Sequence, residues 1–152
     1  MALEMNTIGV KLKYAVETSA GTRPTSGYTE IPDIKELPGI DATPSQLEVT
    51  NLTDTHRRYI PGVIDSGNDF AITANMTASM KSVWNSMVSA ANAAWESGKS
   101  TWFEIAIPNF ESFYLAGRPT EIGASQLGVD AVIEASLHII PNQIAGWAAA
   151  ST

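Results

Sequence analysis

The chain has 152 residues, enough for one domain with a sizeable core; 44% of them are hydrophobic but only 16% charged, against a usual charged share of about 25%. The balance is acidic, nine basic residues against sixteen acidic for a net charge of −7, so the basic face needed to grip nucleic-acid phosphates is missing in bulk. Cysteine is absent, which excludes disulfides, thiolate metal sites and a cysteine nucleophile.

Low charge beside a normal apolar share points either to a surface covered by self-association or to one rich in Ser, Thr and Asn. The N-terminal stretch Met1–Thr7 carries an acid and lacks the basic start and apolar run of a signal peptide. No uninterrupted apolar run approaches the roughly 18 residues of a membrane span. A soluble protein made in a cytoplasm is the expectation.

In chain order, Val10, Leu12, Tyr14 and Val16 alternate with Lys11, Lys13 and Glu17, the period of a half-buried strand. Residues 18–27 are Ser, Thr, Gly and Pro rich and read as an exposed loop. Three prolines and Gly39 between Tyr28 and Pro44 mark edge or connector, because proline lacks the amide a central strand donates. Residues 46–52 are the next strand, 54–62 a polar loop around His56, Arg57 and Arg58, and 65–68 a turn. Phe70, Ile72, Ala74 and Met76 then share one strand face.

One helix stands out. Met80, Val83, Trp84, Met87, Val88, Ala91, Ala94 and Trp95 recur at spacings of three and four, with Lys81, Asn85, Ser89, Asn92 and Glu96 on the far side. Ser79 is placed to cap its start and Gly98 to end it in a left-handed conformation. Strands over 102–107 and 113–118 follow, in which Phe103, Ile105 and Ile107 alternate with Trp102, Glu104 and Ala106. The last strand runs from Val129 to Ile140, where Pro141 stops it. The predicted fold is α+β, mainly β: an antiparallel sandwich or barrel of six or seven strands flanked by one helix. It is one domain, 1–152, with terminal arms at 1–7 and 142–152 ordered mainly by assembly; Leu3, Ile144 and Trp147 are their candidate contacts.

Catalytic signals are weak. Asp54 with His56 is half of a triad, but no serine sits in a Gly-x-Ser-x-Gly elbow. His138 lies on a strand face with no second histidine at ligand spacing. The Asp65–Asp69 stretch is too short for a calcium loop and lacks its bidentate glutamate. Asn51-Leu-Thr53 and Asn75-Met-Thr77 match the glycosylation pattern at the level of chance. No phosphate-cradling glycine loop is present, so neither enzyme, cofactor nor metal is expected.

From Leu47 to Asp69 the order of parts becomes specific: a strand into His56-Arg57-Arg58-Tyr59-Ile60-Pro61-Gly62, then Val63-Ile-Asp-Ser-Gly67 and another strand. With the Gly9–Tyr14 strand, the Ile31–Ile34 segment and a single mid-chain helix, this resembles the major tail tube proteins of long, non-contractile-tailed bacteriophages. The resemblance implies a β-sandwich with one flanking helix, related to the tubes of contractile tails and type VI secretion. It implies hexameric rings stacked into a tube in the virion tail, around a tape-measure protein and closed by a terminator, that later conducts the genome into the host. It also implies that the 53–66 loop and the terminal arms touch neighbouring subunits, the former through His56, Arg57, Arg58 and Tyr59.

Physical reasoning leads the same way. Rings remove the open strand edges of a small sandwich, and a passage for DNA must not bind it. Glu48, Asp69, Glu104, Asp130 and Glu134 each oppose apolar neighbours and are the candidates to line an acidic bore. The inner tube of a contractile tail or secretion machine shares the fold. A carbohydrate-binding or adhesin sandwich is a further alternative, and it would place aromatics on an exposed strand or loop.

Overall fold

A computed structural model describes residues 8–39, 43–65, 69–124 and 127–152. The elements in chain order are β1 (Lys11–Val16), β2 (Thr29–Ile31), β3 (Ile34–Glu36), β4 (Thr43–Glu48), β5 (Tyr59–Asp65), β6 (Phe70–Asn75), α1 (Ala78–Glu96), β7 (Thr101–Ala106), β8 (Ser112–Pro119), β9 (Gly123–Ala124) and β10 (Glu134–Ala148). The main antiparallel sheet has the order β2-β1-β7-β8-β10-β6-β3, with β9 on the flank of β10, and among the described residues β4 and β5 form a separate two-stranded sheet.

The two end strands of that sheet are consecutive in sequence, joined by Pro32 and Asp33 alone. A two-residue link reaches only about 11 Å, so the ends are drawn together and the sheet curls into a nearly closed barrel. Asp33 adopts a left-handed conformation, φ 61°, that aspartate tolerates better than most residues. The mainly β, one-helix architecture is the expected one. The strands beyond six or seven are the short pieces β2, β3 and β9, and β5, which lies where the sequence reads as loop.

One core cluster joins the inner faces of the strands to the helix stripe: Leu12, Phe70, Ile72, Phe103, Leu115, Leu137 and Ile139 meet Met80, Trp84 and Met87. Trp84 is fully buried, and its indole Nε1 donates to the Thr120 carbonyl at 2.8 Å. The helix starts two residues earlier than Ser79 implies. Thr77 is the N-cap, extended at φ −123°, and its hydroxyl accepts from the Met80 amide. Gly98 closes the far end at φ 74°, as expected. Trp95 departs from the stripe: it is half exposed and lies 5.2 Å from the Arg118 guanidinium.

Two expectations fail for one reason, a second covered face. Glu17, set on the polar face of its strand, and Glu104, a candidate to line a bore, are both buried. The outer faces of β7 and β8 hold a smaller core of Trp102, Tyr114 and Ala116, covered by Tyr28 and Ala148. The cover comes partly from β10, which Pro141 does not stop. Its first half pairs with β6 through Ile139, and its second half, to Ala148, pairs with β8. Pro141 falls just past the last β6 contact and beside a bulge, where a missing amide costs least. A second bulge between Ile144 and Gly146 uses the left-handed freedom of Gly146, φ 79°. Residues 142–148 are therefore a paired strand. Leu3 and the 1–7 stretch lie outside the described residues.

Truncating Trp84 to alanine removes a fully buried aromatic and orphans the Thr120 carbonyl. The expected cost is about 3–5 kcal/mol, read as a lower denaturation midpoint; a shift near zero would place Trp84 outside the core.

Candidate functional site

In the main sheet β3 and β6 are direct neighbours, so the chain between them cannot enter it. It leaves as the β4–β5 hairpin, with register Leu47↔Ile60 and Glu48↔Tyr59. An isolated two-stranded ribbon is marginal in water. This one exposes Leu47, Tyr59, Ile60 and, most of all, Val63 at 83%.

The tip, in contrast, is tightly organised. The Asn51 amide donates to Asp54 Oδ2 at 2.9 Å, and the Thr53 amide donates to Asn51 Oδ1 at 2.9 Å. Arg58 Nε donates to Asp54 Oδ2 at 2.9 Å, and its amide donates to Thr50 Oγ1. Asp54 therefore serves the tip and not His56, which removes the half-triad. The polar residues bond inward and leave Leu52 fully exposed at the apex. Of the basic cluster, Arg58 is structural, His56 and Arg57 are exposed on the approach to β5, and Tyr59 opens that strand. The sequence signal for this hairpin was turn chemistry at Asn51 and Asp54, and Pro61, which marks an edge strand.

The five acidic candidates separate. Glu104 is completely buried: it accepts from the Tyr114 hydroxyl at 2.7 Å and from the Ser151 amide and hydroxyl at 2.9 and 2.8 Å. It cannot face a channel, because the C-terminal residues and β8 close over it. Asp130 lies not on a strand but in a turn before β10, at φ 57°. Glu48 is exposed on the hairpin. Glu134 and Asp69 are on the outward side of the β6–β10 pair, Glu134 against Lys35 and Asp69 against His138 Nδ1 at 2.6 Å.

His138 Nε2 lies 3.1 Å from Ser136 Oγ, so Ser136, His138 and Asp69 form a hydrogen-bonded chain with the polarity of a hydrolytic triad. It lies on an open strand face, and the backbone of Ser136 sits in register between Thr73 and Gly123, engaged with strands on both sides. A hydrolase needs free donors for a developing oxyanion, and ladder amides do not supply them. The arrangement is a polar clasp between β10 and the start of β6. Among the described residues no group of three His, Asp or Glu side chains gathers as a metal site. Among the same described residues no helix is long and apolar enough to cross a membrane.

At the other end of the sheet, Trp147 stacks edge-on against Phe113 and Phe110, with centroids at 5.3 and 5.7 Å, and remains half exposed. Ile144 packs against the main core.

Burial pushes the Glu104 carboxyl up, but the hydrogen bonds from Ser151 and Tyr114 outweigh it and hold it below the usual glutamate range. In the same cluster the Tyr114 hydroxyl, buried and facing that carboxylate, is pushed up to about 12. A depressed carboxyl contributes stability above its ordinary value, about 4.3, and loses it as pH falls through the lower folded value. Glu104→Gln is therefore expected to cost about 1–3 kcal/mol at neutral pH and to flatten the acid limb of a melting-temperature profile. An acid limb as steep as the parent's would assign the effect to other carboxylates.

No protein-family model matches the chain, and no curated protein matches it. Solved structures do. The chain is similar to a component of the anti-feeding prophage baseplate, solved with sixfold symmetrisation, at TM-score 0.64 and 10% identity over 95% of each chain. It is similar to a component of the tail of the empty gene transfer agent particle, solved with C6 symmetry, at TM-score 0.60 and 14% identity over 95% of this chain and 100% of that one. A chain of the native gene transfer agent virion aligns at TM-score 0.59 and 13% identity, with the same coverage. The fold of this chain is that of components of phage-tail-like particles.

Proposed function

We propose that the chain is a structural tail subunit that forms hexameric rings and stacks them into a tube for the passage of DNA. The observation that carries the reading is the β4–β5 hairpin, an apolar ribbon excluded from the barrel and exposed at Leu52 and Val63. Its internal hydrogen bonds shape such a ribbon but leave its apolar side chains in water, and cover from outside the protomer is what would bury them. The likeness in fold to chains of sixfold particles supports the same reading. A tape-measure protein within the tube and a terminator at its end are the remaining partners of this role, and the virion tail is its place. No step of it calls for an enzyme or a cofactor.

Negative-stain microscopy of the purified protein is expected to show annuli or tubes. Leu52→Asp with Val63→Asp is expected to abolish them while leaving the monomer's melting temperature unchanged; normal tubes from this variant would reject the hairpin as the contact. A single ring at a baseplate is the second reading, favoured by the likeness to a baseplate component. Annuli that never stack would support it over the tube.

The bore, in the tube reading, is lined by Glu48, Asp69 and Glu134 from the hairpin and the outward face of β6 and β10. Sixfold repetition multiplies each acid around the axis and keeps a polyanion from adhering. Glu48→Lys with Asp69→Lys is expected to preserve tubes but slow genome passage, most at low salt. Passage at the parent rate would remove these residues from the bore.

A further inference from the structure

The hairpin tip has a chemical counterpart on its own chain. Leu127, Val129, Val132 and Ile133, before β10, are 66, 95, 68 and 56% exposed. In their midst sits Asp130, exposed, held left-handed, and with no hydrogen-bond or ion partner among the described residues. The tip presents the complement: an apolar apex, Leu52, beside an exposed cation, Arg57, that also has no partner among the described residues. The exposures of Leu52 and Val129 show that the two surfaces do not meet within one chain.

We propose that the Leu52–Arg57 tip of one copy docks on the Asp130 turn of the next, with Arg57 facing Asp130 and Leu52 against Val129 and Val132. The proposal deepens the assembly reading and rests on it. Charge complementarity selects the second copy as the occupant. Other acids are engaged: Asp54 with Arg58, Glu134 with Lys35, Asp69 with His138, and Glu30 with Lys11 at 3.9 Å. Glu48, also exposed between the exposed Leu47 and Val49, lies on the same hairpin as the tip, so Asp130 is the acid in an exposed aliphatic run away from it. Two different patches on each chain make a heterologous contact, and such contacts propagate into rings or filaments, whereas a self-complementary patch stops at a dimer. The tip's internal hydrogen bonds order it before docking, so little conformational freedom is lost on contact.

The test is assembly by sedimentation and microscopy of the full chain, with monomer melting as the control. Asp130→Asn keeps the left-handed turn comfortable and removes the charge. It and Arg57→Asp are each expected to raise the concentration needed for assembly about tenfold, the equivalent of one lost contact, with melting unchanged. The double swap, Arg57→Asp with Asp130→Arg, is read against Asp130→Arg alone, so that strain at the left-handed position is common to both, and is expected to assemble at a lower concentration than that single variant. Single variants that assemble like the parent, or a swap no better than Asp130→Arg alone, would overturn the pairing while tubes of the parent still stand. A parent chain that forms no rings at all would overturn the assembly reading, and the pairing with it.

Discussion

The two-residue link between β2 and β3 constrains everything else. By tying together the ends of the sheet it fixes curvature, and curvature turns the inner strand faces toward one another and toward the helix stripe. A flat sheet of these strands would leave part of that apolar face in water. Closure has a second effect, because a sheet whose ends are used up has no room for more strands. The segment between β3 and β6 is expelled as a hairpin by topology, whatever its own preference for burial.

Two buried carboxylates organise the opposite face. Glu17 accepts from the Gly21 and Ser100 amides and the Trp102 indole at 2.9, 3.2 and 2.8 Å, tying the loop after β1 to the start of β7. Glu104 does the same for the last residues of the chain. Each replaces lost hydration with several donors, the condition under which a buried charge is tolerated. Arg23, 4.0 Å over the Tyr114 ring, adds a cation to the Glu104 cluster.

Much of the fold was legible in the sequence, and the misses share physical causes. The helix stripe and the β6 alternation were readable because one side of each element is buried and the other is not. Glu17 and Glu104 were misread because period-two alternation tells two faces apart but not whether the polar one is later covered. Pro141 was read as a stop because a proline signals a lost amide, and only tertiary pairing shows which amides are needed. The hairpin's strand β5 was hidden by the basic cluster just before it, and its exposure follows from strand order, which no local pattern encodes. Asp130 was assigned to a strand because apolar residues surround it; those residues face outward.

The expelled hairpin also separates two kinds of selective constraint. Residues on the inner faces answer to the volume and shape of a shared core, where most changes disturb several neighbours at once. Residues on the hairpin have no such neighbours within the protomer, so substitutions there leave the barrel's packing untouched. Interface chemistry can therefore drift, and two lineages with the same barrel can lose the ability to co-assemble without either losing its fold.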